Sequence, residues 1–326
     1  MKLVPALLAS AISLFAMQAA SAHEYDGLMK AKKYAEAEKA ANAKLSTDAN
    51  NADALLVKAE LILAEGKLDK LDEAVKYAEQ CISAHPQLSE CHEMLGNVLG
   101  TKATSGSMFA AMSYAGKIRD AFIKAIELDP KNYSARGSLL QYYLQAPAIA
   151  GGGKSKAQNL VIETAKVNSA AGNLLQANVD LADDKFASAE TAALSAIPGN
   201  TESLISMQRG ILYSIGASYV QQKKYNDAER IFTDMQQRFP AKYQGAFGMG
   251  RSLQEQGKHK EALNWFEKAQ TLDTNAGIYY RLAQCLQAVN EKPRAISYFE
   301  KALSFKPALS KKLRADAEEQ LKALKA

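Results

Sequence analysis

Residues 209–307 repeat themselves. Ala228 and Ala262 stand 34 residues apart, and Ala262 and Ala295 stand 33 apart. Around each alanine lies the same pattern: a helix-length apolar segment, a short polar turn and a second apolar segment. Small residues recur at Gly216, Gly250 and Ala283 in the first segment, and at Ala228, Ala262 and Ala295 in the second. Four residues beyond the second set come Phe232, Phe266 and Phe299. Small residues let two antiparallel helices approach, and a large residue fills the groove between neighbouring pairs. Pro240 and Pro307 close the first and third copies, because proline cannot continue a helix. A chain with this period is predicted to stack helical hairpins rather than close around one globular core.

These residues resemble the tetratricopeptide repeat. The match is strong over 209–307, where Leu212, Ala246 and Tyr279 stand in the place that often holds Trp in that family. It weakens over 23–208, where Ala189/Ala193/Ala196, Phe122/Ala125/Pro130, Ala74/Ala78/Cys81/Pro86 and Tyr34/Ala37/Ala41 mark successive second helices. The resemblance implies an all-α, right-handed superhelical solenoid of about seven to eight antiparallel helix pairs, with the charged segment 308–326 as a polar capping helix. Two insertions break the period, at 100–117 and 145–155. The second, with its AP-x-x-x-GG run, is similar to a loop carried by a group of bacterial tetratricopeptide proteins. Met108, Phe109 and Met112 in the first are expected to lengthen the next helix or to form a flap.

The N-terminus reads as an export signal. Lys2 precedes the apolar run Leu3 to Ala20, and Ala20-Ser21-Ala22 fits signal-peptidase specificity, so residues 1–22 are expected to be cleaved and the mature chain to begin at His23 in the periplasm. No integral membrane span is expected. The formal charge of +5 is dispersed among acids without a basic, aromatic-studded stripe, which argues against nucleic acid as a partner.

Chemistry-bearing clusters are sparse. Gly153-Lys154-Ser155 imitates the end of a phosphate loop, but Ala148 replaces the first glycine and a helix precedes it, so it reads as an inter-helix loop. Cys81 and Cys91 lie where two packed helices meet. A disulfide, two separate buried thiols and, with His85 and His92, a metal site all stand open. Cys285 reads as a packed small residue, and Glu60, Asp69 and Asp72 read as solvated helix faces. No catalytic constellation is present, so neither enzymatic activity nor a cofactor or metal is expected.

The resemblance implies that first helices line a concave face. The stripe there holds Tyr213, Phe247 and Tyr280, with Arg251, Gln254, Gln284 and Gln287 beside them. Aromatics and arginine favour protein contacts, and glutamine can bond an extended backbone. An alternative is that the aromatics simply pack against neighbouring helices. Glu93 and Asn97 occupy the places of the family's Lys/Asn carboxylate clamp with the wrong charge, so that clamp is not expected. The chain thus reads as a non-catalytic scaffold for a protein or extended peptide. The alternatives are a small-ligand carrier lidded by the 100–117 insertion, an accessory subunit of envelope assembly or polymer processing, and a hydrolase with carboxylates brought together across repeats.

Overall fold

The computed structural model describes residues 25–305 and 309–326. The signal-like segment, His23 and Pro307 lie outside them. The chain divides into two compact units, residues 1–208 and 209–326. Among the described residues every regular element is helical.

The N-terminal unit opens with α1 (Asp26–Lys30) and α2 (Tyr34–Thr47). Four full hairpins follow. They are α3 (Ala52–Ala64) with α4 (Leu71–Ala84), α5 (Ser89–Ser105) with α6 (Met108–Leu128), α7 (Tyr133–Gln145) with α8 (Lys154–Val167), and α9 (Ser169–Ala182) with α10 (Phe186–Ser195). Helix α11 (Glu202–Gln221) carries the chain across residue 208. The C-terminal unit continues with α12 (Tyr225–Arg238), α13 (Gln244–Glu255) with α14 (His259–Leu272), α15 (Ala276–Ala288) with α16 (Lys292–Ser304), and the last helix α17 (Lys311–Lys325).

Two local devices recur and explain why the helices begin and end where they do. Asn51, Asn132, Asn168 and Asn275 precede α3, α7, α9 and α15, and each side chain accepts a hydrogen bond from the amide three residues on. Each thereby satisfies one of the amides that a helix start leaves unbonded. Helix ends share a left-handed residue: Lys32, Gly66, Asp184, Lys223, Gly257 and Asn290 have φ between 56° and 77°. The next residue's amide then bonds back five positions, as from Lys224 to Tyr219 (2.9 Å), Lys258 to Leu253 (2.9 Å) and Glu291 to Leu286 (2.9 Å). This is the Schellman closure, which consumes a free carbonyl and reverses the chain. Lysine pays a steric penalty there that glycine does not. Lys223→Gly is therefore expected to raise stability by about 1 kcal/mol, seen as a higher urea midpoint at unchanged slope.

Helix pairing rests on the small-residue and phenylalanine sets. A Cβ built on Gly216 would meet the Phe232 ring at 2.5 Å, one on Gly250 the Phe266 ring at 2.7 Å, and one on Gly96 the Phe122 ring at 2.5 Å. Gly248, on the following helix, also sits against the Phe232 ring, with 2.2 Å for the same test. Each ring thus fills a slot between backbones, and Phe232, Phe266 and Phe299 are buried outright. Helix α17 packs on the last hairpin through Leu313, Ala317 and Leu321, spaced four residues apart on one face. Its other faces carry the charges of a terminal repeat.

The segment 100–117 is helical apart from its tip. It extends α5 to 17 residues and α6 to 21, reversing at Gly106-Ser107, where Ser107 caps α6. Phe109 near that tip is 91% exposed and closes over nothing.

The segment 145–155 is a compact turn in which the three glycines have separate duties. Gly151 and Gly153 have φ of 90° and 139°, conformations that side chains resist. Gly152 passes so close to the chain that a Cβ would lie 1.8 Å from the Ala146 carbonyl oxygen. The Gly153 amide donates to the Tyr143 carbonyl (2.7 Å), and the Tyr142 hydroxyl donates to the Ala150 carbonyl. Gly152→Ala is expected to open this turn. The check is hydrogen exchange, which should quicken at Gly153 while α15 and α16 stay protected.

Candidate functional site

The first helices of the C-terminal repeats, α11, α13 and α15, bring their polar side chains onto one face. Arg251 donates from Nη1 to the Tyr213 hydroxyl (3.2 Å), linking α13 to α11. Gln254 donates from Nε2 to Gln284 Oε1 (3.3 Å), linking α13 to α15. Arg281 donates from Nη1 to Gln254 Oε1 (3.1 Å) and Gln284 Oε1 (3.4 Å). Gln284 then donates to the Tyr280 hydroxyl (2.7 Å), and Tyr280 donates to Asp316 Oδ2 of α17 (2.5 Å). Gln320 Nε2 donates to the same oxygen (2.9 Å). Gln287 lies one turn beyond Gln284, and its buried Oε1 has no hydrogen-bond partner among the described residues.

The three aromatics of the stripe are divided between core and surface. Tyr213 and Phe247 are half-buried, with centroids 6.4 Å apart. Beneath them lie Phe232, 6.1 Å from Tyr213, and Phe266, 5.5 Å from Phe247. Tyr280 is 4% exposed and leans edge-on against Phe299 at 6.2 Å. The rings therefore form a layer over the repeat phenylalanines, while the hydroxyls of Tyr213 and Tyr280 point into the polar ladder.

Arg281, Asp316 and Gln320 belong to this ladder although sequence reasoning passed them over. Arg281 follows Tyr280 directly and falls off the helical stripe when the helix is drawn alone. It returns by lying over the Tyr280 ring, 5.7 Å from the centroid. Asp316 and Gln320 sit on a helix read only as a cap. Electrostatically the two arginines differ. The Tyr213 phenol oxygen, foremost, holds the Arg251 pKa above its ordinary value. Burial, and then the neighbouring Arg251 charge, push that of Arg281 down.

The N-terminal unit carries a smaller counterpart. Ser138 donates to Asn97 Oδ1 (3.3 Å), and Gln141 Nε2 to Asn178 Oδ1 (3.4 Å). Glu93 is wholly buried and accepts from Asn132 Nδ2 (2.8 Å). Glu60 is not a solvated face. Burial, with the charges of Asp26 and Glu93 behind it, pushes its carboxyl up to about 7. Asp69 and Asp72 are exposed, and Asp72 pairs with Lys102.

Cys81 and Cys91 are joined in a disulfide that ties α4 to α5, with Cα atoms 5.5 Å apart. His85 Nε2 lies 2.6 Å from the Asn50 carbonyl and His92 Nε2 3.0 Å from that of Pro86. Among the described residues no group of three or more His, Cys, Asp or Glu is placed to hold a metal. Burial pushes the Cys285 thiol up to about 12, which leaves it protonated and unreactive. Lys154 of the Gly-Lys-Ser run is engaged by Asp183. No helix among the described residues is long and apolar enough to cross a membrane.

Residues 221–302 match the family described as anaphase-promoting complex, cyclosome, subunit 3. No curated protein matches the chain. Among solved structures it is similar to a tetratricopeptide repeat protein from Parabacteroides merdae, with 16% identity, TM-score 0.43, and 98% of this chain and 100% of the other covered. It is also similar to the Cut9–Hcn1 hetero-tetramer of the anaphase-promoting complex (14% identity, TM-score 0.45, 92% and 54% covered) and to yeast Tom70 (15%, 0.46, 85% and 65%). The chain thus spans about half the length of the Cut9–Hcn1 chain it matches. A period of 33–34 residues, glycines against the buried Phe232 and Phe266, a shared left-handed turn and the match over 221–302 mark the C-terminal hairpins as similar to tetratricopeptide repeats.

Proposed function

We propose that this protein is a non-catalytic scaffold that holds an extended segment of a partner protein along the face formed by α11, α13 and α15. The observation that carries this reading is the ladder itself. Helices α13 and α15 present amides and guanidinium groups, some only half-satisfied, beside the Tyr213 hydroxyl of α11 and over a bed of aromatic rings. Such groups can bond a backbone, while the rings supply apolar area. The family matched over 221–302 is named for a subunit of a multiprotein complex, which suits a binding role. The lid required by a small-ligand carrier finds no support in the exposed Phe109.

We also propose that the protein is exported and works in the periplasm. The signal-like start motivates this reading, and the Cys81–Cys91 disulfide supports it, because such bonds persist in oxidising compartments. N-terminal sequencing of protein from a periplasmic fraction is expected to begin at His23. A chain retained in the cytoplasm with Met1 in place would sink this part.

The binding face is tested by placing a photocrosslinking residue at Gln254 or Gln287, and for comparison at exposed Lys260 on α14. A discrete crosslinked species is expected from the first two positions and none from Lys260. Equal labelling at all three positions, or none, would overturn the assignment.

A further inference from the structure

The arginines of the C-terminal unit are paired in an unexpected way. The exposed ones have carboxylates: Arg230 with Asp227, Arg238 with Asp234, Arg294 with Glu291 and Glu267, and Arg314 with Glu318. Solvent already serves those charges, so a partner matters least there. Arg251 and Arg281 are part-buried, close enough to repel one another, and form no ion pair among the described residues. Neutral groups are their hydrogen-bond partners: the Tyr213 hydroxyl for Arg251, and the Gln254 and Gln284 amide oxygens for Arg281. Glu255, at the exposed end of α13, acts on both only from a distance. The Arg251 Nε is buried and has no hydrogen-bond partner among the described residues.

Two desolvated like charges without a counter-charge are costly, and an orphaned charged donor adds to that cost. The arrangement becomes favourable when an anion arrives. The same face shows what kind of group it seats, because at its far end Asp316 is held by Tyr280 and Gln320 (2.5 and 2.9 Å). One step along the ladder the arginines stand ready, and no acid among the described residues pairs with them directly. A guanidinium also presents parallel N–H groups that match the two oxygens of a carboxylate.

We propose that Arg251 and Arg281 form the seat for a carboxylate of the bound segment, either an Asp or Glu side chain or the chain's own C-terminus. This assignment rests on the extended-segment reading above. It differs from the Lys/Asn clamp set aside at the sequence level, because it uses two arginines, one of them outside the stripe.

The test selects ligands for the full chain from a library of random dodecapeptides, then measures labelled winners by fluorescence anisotropy. Each is compared with its amidated form and with forms in which each Asp or Glu becomes Asn or Gln. Neutralising one carboxylate is expected to weaken binding at least tenfold. Arg251→Gln and Arg281→Gln should do the same, with little further loss when the neutral peptide meets the variant. Loss on amidation assigns the C-terminus, and loss at an internal residue assigns a side chain. Arg314→Gln should leave binding unchanged. Circular dichroism checks that each variant folds, and Arg→Lys versions, which keep the charge, should recover part of the affinity.

Neutral peptides that bind both arginine variants as tightly as the parent would remove the carboxylate seat and leave the scaffold reading standing. If no peptide is selected, the scaffold reading falls and the seat is judged by itself. The Arg251 Nε–Hε resonance is then followed as sodium acetate replaces sodium chloride at constant ionic strength. A saturable shift that Arg281→Gln abolishes supports the seat. No shift, or a shift with inorganic phosphate alone, overturns it.

Discussion

Phe266→Ala is expected to lower the unfolding free energy of the C-terminal unit by about 3–5 kcal/mol. The ring is fully buried, abuts the backbone at Gly250 and lies 5.5 Å from the Phe247 centroid. Helix α13 presses on it with both backbone and ring, so the void left by alanine cannot be closed by one side chain shifting, and the cavity cost adds to the lost burial. In a stack of repeats the damage should stay local at first, because each hairpin is held mainly by its neighbours. Hydrogen exchange should therefore quicken in α13 and α14 before α3 or α4. A loss below 1 kcal/mol, or uniform quickening along the chain, would contradict the slot geometry.

Glu93→Gln is expected to flatten the pH dependence of stability. The Glu93 carboxyl is 0% exposed, and burial pushes it up to about 7, against the pull of hydrogen bonds from Asn132, Ser134 and Asn97. The folded chain therefore holds this proton more tightly than the unfolded chain, whose carboxyl titrates near 4.5. Glu93's contribution is fully present below pH 4.5 and is lost as the pH rises through 7, in total about 3 kcal/mol. Glutamine stays neutral and can still accept from Asn132. At pH 8 the variant should be more stable than the parent by roughly 2–3 kcal/mol, and at pH 4.5 nearly equal to it. Glu60 titrates in the same window and leaves a residual slope. Urea midpoints at several pH values decide the matter, and parallel curves for the two proteins would refute the assignment.

Much of the fold was legible because the repeat is written in side-chain volume. Gly216, Gly250, Phe232, Phe266 and Phe299 are small or large for one steric reason, and volume is visible in a sequence. The turns were less legible. Lys223 and Asn290 occupy left-handed positions that Gly66 and Gly257 fill elsewhere, and nothing in a lysine announces that conformation. The inserted glycines at 151–153 were noticed, but their separate duties depend on carbonyls that the chain brings near only when folded. Along the candidate face, helical spacing selected Arg251, Gln254 and Gln284, because these lie on one line of each helix. It missed Arg281 and Asp316, which enter from a neighbouring line and from another helix. Burial was the other blind spot. Glu60 reads as a solvated helix face and Glu93 as a clamp position of the wrong charge, and only packing shows that burial raises both pKa values.

The bond between Tyr280 and Asp316 has a consequence for any ligand. At that point α17 reaches the ladder, placing a carboxylate from the last helix at the edge of the α15 face. A segment lying on α11, α13 and α15 as proposed would meet α17 at Asp316, beside Tyr280 and Gln284. If the proposed segment runs that far, its contacts at this end include a helix that lies outside the repeats.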